Sequence, residues 1–204
     1  MAEWWEKGEL FPKERGNFLI ILEFFLFNCP VKIITQKKDG TKECELVSKR
    51  AITFEDRDWI GGKITTLFSE ITRNIITECV DNNQNVDYIR AHKEEMSSLD
   101  DEHFELIVFK KDWRINKTKS IFYSIRNALA HGAFSVVNKK DPVYYFENVS
   151  NGVKAQIRLK ESTLLRWIDL FNSSADDIRS KRKAKTSKAN KTKKAKKAKK
   201  KVLL

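Results

Sequence analysis

The chain has 204 residues, with 40 Lys/Arg against 28 Asp/Glu and a net charge of +12. That length suits one domain with an appendage, and a body of about 175 residues can bury roughly 70% of its unfolded surface without disulfide or metal staples. From Asp176 to Leu204 there are 14 Lys/Arg and 2 Asp/Glu, which leaves 26 of each sign in the body, so the basicity belongs to a tail and is no sign of a basic groove on the domain.

The predicted organisation is a helical domain over residues 1–175 and a Lys-rich flexible tail over 176–204. Lys13 to Phe27 reads as a buried helix stopped by Pro30. Glu23, Asn28, Pro30 and Lys32 interrupt the apolar run from Phe18 to Ile34, which is too short and too polar for a membrane span. Val31–Gln36 and Lys42–Val47 flank Asp39-Gly40, a hairpin signal. Thr53-Phe-Glu-Asp56 resembles a capping box. It leads into a stripe of Ile60, Ile64, Leu67, Phe68, Ile71, Ile75 and Cys79, predicted as one long helix. Val86 to Met96 is a weaker helix candidate, and Ser98-Leu-Asp-Asp101 caps another with Phe104, Ile107 and Val108 inward.

Thr118 or Ser120 can cap a helix through Ile121, Phe122, Ile125 and Leu129 to His131, with Gly132 at the position after the C-cap. Strands over Val143–Phe146 and Val153–Leu159 turn at Asn151-Gly152, and a last helix runs from Glu161 to Phe171. The expected fold class is therefore mainly all-α, with short β-hairpin additions. The tail, a Lys/Ala/Thr repeat from about Ser180, has no apolar face to bury and reads as disordered. Cys29, Cys44 and Cys79 are odd in number and lack zinc spacing, as reduced cytoplasmic thiols would.

The chemically informative stretch is Ser124-Ile-Arg-Asn-Ala-Leu-Ala-His-Gly-Ala-Phe134. Cleavage of RNA by its own 2′-OH needs a proton acceptor, a proton donor for the leaving 5′-oxygen and a cation for the charge on phosphorus. Arg126 and His131 supply a cation and an imidazole, and Asn127 can bond the phosphate or orient the ring. Residues five apart on a helix lie about 140° apart, so the pair converges only if His131 sits in the last turn. One chain supplies one such imidazole, so a site with both base and acid calls for a two-fold homodimer. The bland alternative is a His that caps the last carbonyls and an Arg on a solvated face.

The stretch resembles the Arg-x(4–6)-His motif of the HEPN superfamily in its frequent Arg-Asn-x-x-x-His form. The resemblance covers about eleven residues and the order of helices. It implies an up-and-down helical bundle that dimerises into one composite site. It also implies a metal-independent endoribonuclease with Arg126 and His131 catalytic, Asn127 supporting them, and no cofactor or metal. Toxin–antitoxin and antiphage systems supply many members, so RNA and an antitoxin or regulatory protein are the implied partners. A further polar residue on an earlier helix is common in the family; Glu70, Arg73 and Asn74 are candidates here. The alternative is a non-catalytic HEPN-like module that binds RNA or dimerises.

The tail residues Lys181, Arg182, Lys183, Lys193, Lys194, Lys196, Lys197, Lys199, Lys200 and Lys201 carry no interleaved aromatics. They would hold RNA phosphates by counterion release with little sequence preference; the plainer reading is a solubility tail. His92 and His103 stand among acidic residues and match no metal signature. Trp4, Trp5, Trp59, Trp113 and Trp167 read as core or interface packing.

Overall fold

The computed structural model describes residues 9, 11–36, 39–40, 42–46, 64–81, 86, 104–110, 116–149 and 152–172. In chain order these form α1 (Arg15–Leu22), a π-helical segment (Glu23–Phe27), β1 (Lys32–Gln36), β2 (Lys42–Leu46), α2 (Ile64–Ile71), β3 (Ile76–Val80), β4 (Leu106–Lys110), α3 (Lys117–Ala130), β5 (Phe134–Val137), β6 (Val143–Val149), β7 (Val153–Lys160) and α4 (Glu161–Asn172). β1 and β2 form an antiparallel hairpin around Gly40, which takes a φ of 84°. The other five strands make one mixed sheet in the order β3-β4-β7-β6-β5. Only β3 and β4 run parallel; every other pairing is antiparallel. Glu9 bridges Val136 and so extends the β5 edge.

This sheet overturns the expectation of a mainly all-α, up-and-down HEPN-like bundle. The expectation failed at two apolar runs. The stripe read as one helix through Cys79 breaks at Asn74, which adopts the left-handed conformation (φ 64°), and continues as β3. Its second half, Ile75-Ile-Thr-Glu-Cys-Val80, is rich in β-branched side chains that lose rotamer freedom in a helix and suit a pleated surface. The helix expected after Ser98, with Phe104, Ile107 and Val108 inward, gives way to β4. There Leu106, Ile107, Val108 and Phe109 are all buried, on both faces of the sheet. A strand buried on both sides reads as an unbroken apolar run, which lacks the alternation that marks a half-exposed strand. Of the helix candidate at Val86–Met96 only Val86 is described, and residues 87–96, the capping sequence at Thr53 and the basic tail lie outside the described residues.

The helices cover one face of the sheet. Ile107, Phe109, Tyr144, Phe146, Ile157 and Leu159 rise from that face into a core shared with Phe18, Ile21, Phe24, Phe25, Ile121, Phe122, Ile125, Leu164 and Trp167. Phe122 of α3 is central. It stacks on Trp167 at 5.7 Å and meets Phe25 at 5.6 Å and Phe24 at 6.2 Å. The Trp167 indole donates to the carbonyl of Ile71, which ties α4 to the end of α2 (3.1 Å). Trp167 is thus core, as its residue type suggests, whereas Trp4, Trp5, Trp59 and Trp113 lie outside the described residues.

A buried carboxylate joins three elements on this face. Glu161 accepts from the Asn17 amide (2.7 Å) and from the Tyr144 hydroxyl (2.8 Å), linking α4, α1 and β6. Burial and this carboxylate hold the Tyr144 hydroxyl well above the usual phenol range. Glu105 and Asp141 cap the start of α4, accepting from the backbone of Lys160 (2.9 Å) and Ser162 (3.1 Å).

The opposite face of the sheet is polar at its centre. Arg158, only 2% exposed, donates to the Tyr145 hydroxyl (3.0 Å) and to the Phe104 carbonyl, with its guanidinium 4.2 Å from the Phe104 ring centroid. Aromatic rings on both sides and two oxygen acceptors make the burial of that cation tolerable.

Phe122→Ala should cost about 3–5 kcal/mol of stability, because three rings lose a shared partner. Urea unfolding followed by tryptophan fluorescence measures it, and Asn116→Ala at the start of α3 should cost about 1 kcal/mol in the same assay.

Candidate functional site

α3 carries the Arg126–His131 stretch, and both of its ends are chemically specified. At the start, the Asn116 side chain accepts from the Lys119 N–H (3.0 Å), so Asn116, and not Thr118 or Ser120, is the cap. At the end, His131 is the C-cap and Gly132 takes a φ of 65°. Ala133 N–H reaches the Ala128 carbonyl (2.7 Å) and Gly132 N–H the Leu129 carbonyl (3.3 Å). This pair of bonds is a Schellman motif, and it satisfies carbonyls that the helix end leaves open. Gly132 therefore plays the part its position after His131 predicts.

His131 is exposed, and so is Ala130 before it. Arg126 stands about a turn and a half earlier and is half-buried. Its Nη1 donates to the Asn127 Oδ1 at 3.1 Å. Asn127 and His131 are four residues apart, hence on the same side of the helix. The bond links Arg126 to the residue that shares a helix side with His131, while residues 126 and 131 themselves lie about 140° apart on a straight helix.

The other side of the guanidinium faces the core. Arg126 Nε is buried and makes no hydrogen bond. Cys29, fully buried just after the π segment, lies close enough for the Arg126 charge to act on it. Its thiol points at the Phe122 carbonyl (4.0 Å), one turn before Arg126. The π segment sets this contact. Its wide turn closes with Asn28 N–H shared between the carbonyls of Glu23 (3.2 Å) and Phe24 (3.0 Å), after which the chain leaves the helix at Cys29. Nothing in the sequence marks Cys29 as a neighbour of Arg126, since 97 positions separate them and neither residue type implies the other.

The remaining candidates fall elsewhere. Arg73 forms an ion pair with Glu70 (3.0 Å) three residues away at the end of α2, and Asn74 forms the turn that follows. His92, His103 and the tail residues from Lys181 to Lys201 lie outside the described residues. Among the described residues no group of three His, Cys, Asp or Glu side chains is placed to hold a metal ion. No described helix is long and apolar enough to cross a membrane.

No family model, no curated protein and no solved structure matches this chain.

Burial pushes the Cys29 thiol from its ordinary value of 9.0 up to about 12, against the opposing pull of the Val31 N–H and the Arg126 charge. A group whose folded pKa is raised contributes stability below its unfolded pKa and loses it as pH climbs toward the folded value. The stability that Cys29 contributes over Cys29→Ala should therefore hold below about pH 9 and shrink between about pH 9 and 12. The loss should reach at most about 1.4 kcal/mol per pH unit in urea titrations. Alkylation at pH 8, read by mass spectrometry, should leave Cys29 unmodified until the protein is unfolded.

Proposed function

We propose that this protein is an endoribonuclease that cuts RNA without a metal, with Arg126, Asn127 and His131 as its working groups. The observation that carries the reading is the Arg126–Asn127 hydrogen bond beside an exposed His131 at the end of α3. A second feature supports it. An Arg donor left buried without a partner costs about 1–3 kcal/mol, a penalty that proteins retain more readily where a side chain is held for function. The reading rests on this cluster and on its resemblance to the HEPN motif, not on the fold, because a sheet stands where that family has a bundle.

In the proposed reaction a neutral imidazole takes the proton from the ribose 2′-OH, and O2′ attacks the adjacent phosphorus. The bond from phosphorus to the 5′-oxygen breaks, and that oxygen takes a proton from an imidazolium. The products are a 2′,3′-cyclic phosphate and a 5′-hydroxyl. Arg126 stabilises the charge on the phosphorane oxygens, and the Asn127 amide fixes the guanidinium. Each chain offers one His131, so base and acid come from two copies. Single-stranded or looped RNA is the substrate class, because unstacked nucleotides reach in-line geometry. The same resemblance extends the reading to a cytoplasmic toxin or antiphage effector, with an antitoxin or regulatory protein as partner.

A second reading is favoured by the same half-buried Arg126. If the guanidinium serves to fill the space beside Cys29, the protein is a module that binds RNA through its basic tail without cutting it. Incubation with single-stranded RNA in EDTA decides between them. The nuclease reading expects cleavage to 2′,3′-cyclic ends, reduced about 10²–10⁴-fold in both His131→Ala and Arg126→Ala. Absence of cleavage by the wild type, or equal cleavage by wild type and His131→Ala, overturns it. The binding reading expects affinity that falls steeply with salt, vanishes on deletion of residues 180–204 and ignores Arg126→Ala.

A further inference from the structure

The outer side of α1 and the π segment is apolar where solvent would ordinarily meet charge. Leu19 is 61% exposed, Phe27 59% and Ile20 48%, while Phe18, Ile21, Phe24 and Phe25 turn inward. Two charges are placed symmetrically in this patch. Arg15 stands four residues before Leu19 and Glu23 four residues after it, so the three share one side of the helix. Both charged residues are exposed, and neither forms an ion pair with a described residue.

We propose that this face pairs with a second copy of the chain, through two α1 helices laid antiparallel about a two-fold axis at Leu19. The charge pattern selects this occupant. With Leu19 on the axis, Arg15 of each copy lies opposite Glu23 of the other, and Leu19, Ile20 and Phe27 are covered in both. Parallel helices in register would instead set Arg15 against Arg15 and Glu23 against Glu23. Gly16 assists the approach: it lies one turn before Ile20 and has open space where a Cβ would stand, so a partner backbone can come close. The contact is small. Two helices of this length bury less than the roughly 1,200 Å² at which stable interfaces begin, so pairing is concentration-dependent. The nuclease reading calls for two copies but does not name this face, and the two proposals stand or fall separately.

Sedimentation equilibrium of the full chain, performed on the His131→Ala variant so that RNA chemistry plays no part, tests the pairing. A reversible monomer–dimer equilibrium is expected. Arg15→Glu alone and Glu23→Arg alone each place like charges across the axis and should weaken the dimer about tenfold or more. The double variant Arg15→Glu/Glu23→Arg restores opposite charges and should return the dissociation constant to within about threefold of the parent. Both positions are exposed, and circular dichroism checks that each variant remains folded. A monomer at all concentrations up to about 0.5 mM, single variants that dimerise like the parent, or a double variant as weak as the singles would each overturn the proposal. If the pairing behaves as expected and wild type fails to cut RNA, the nuclease reading alone is lost.

Discussion

Phe122 is the contact on which the helical layer depends. It lies at the middle of α3 and meets the π segment through Phe24 and Phe25 and α4 through Trp167. A ring gripped on several sides fixes both the translation and the rotation of its helix, because close-packed interiors leave few alternative rotamers. The rotation matters for the proposed site. Phe122 and Arg126 are one turn apart, so the grip on the ring also sets the direction in which the guanidinium leaves the helix. The carbonyl of the same residue receives the Cys29 thiol, which lies within reach of the Arg126 charge.

The two faces of the sheet solve different problems. The helix-covered face is filled by interlocking rings and aliphatics, with Glu161 as a charged rivet between α1, β6 and α4. The other face buries a cation, Arg158, held between Phe104 and Tyr145. An Arg fits this role better than a Lys, since its flat guanidinium stacks on rings while its nitrogens keep their acceptors. The proposed site draws on neither of these anchors directly. It lies where α3 runs out of core, at a helix end closed by Gly132 and open to solvent at His131.

Much of the local structure was legible in the chain. α1 with its stop before Pro30, the hairpin around Asp39-Gly40, the β6–β7 pair and α4 all appear close to where periodicity and turn residues set them. These signals are local: a φ above zero at Gly40 and Gly132, a missing N–H at Pro30, an apolar stripe at helical spacing. β3 and β4 were not legible. Their apolar residues serve two faces of a sheet, and a run buried on both sides carries no period that separates strand from helix. β5 was missed for a related reason, since Phe134-Ser-Val-Val137 is short and gains its identity from pairing with β6.

Local signals in the chain suffice to place Arg126, Asn127 and His131 together at the end of a helix that Gly132 terminates. Covalent spacing and the glycine's freedom at positive φ suffice for that, because both act within one turn. The architecture around that helix end was settled by the fold as a whole. The parallel contact of β3 with β4, the burial of Arg158 and the approach of Cys29 to Arg126 join residues far apart in the chain. Such contacts come from the competition of all apolar segments for one core, and no short window of residues records its outcome.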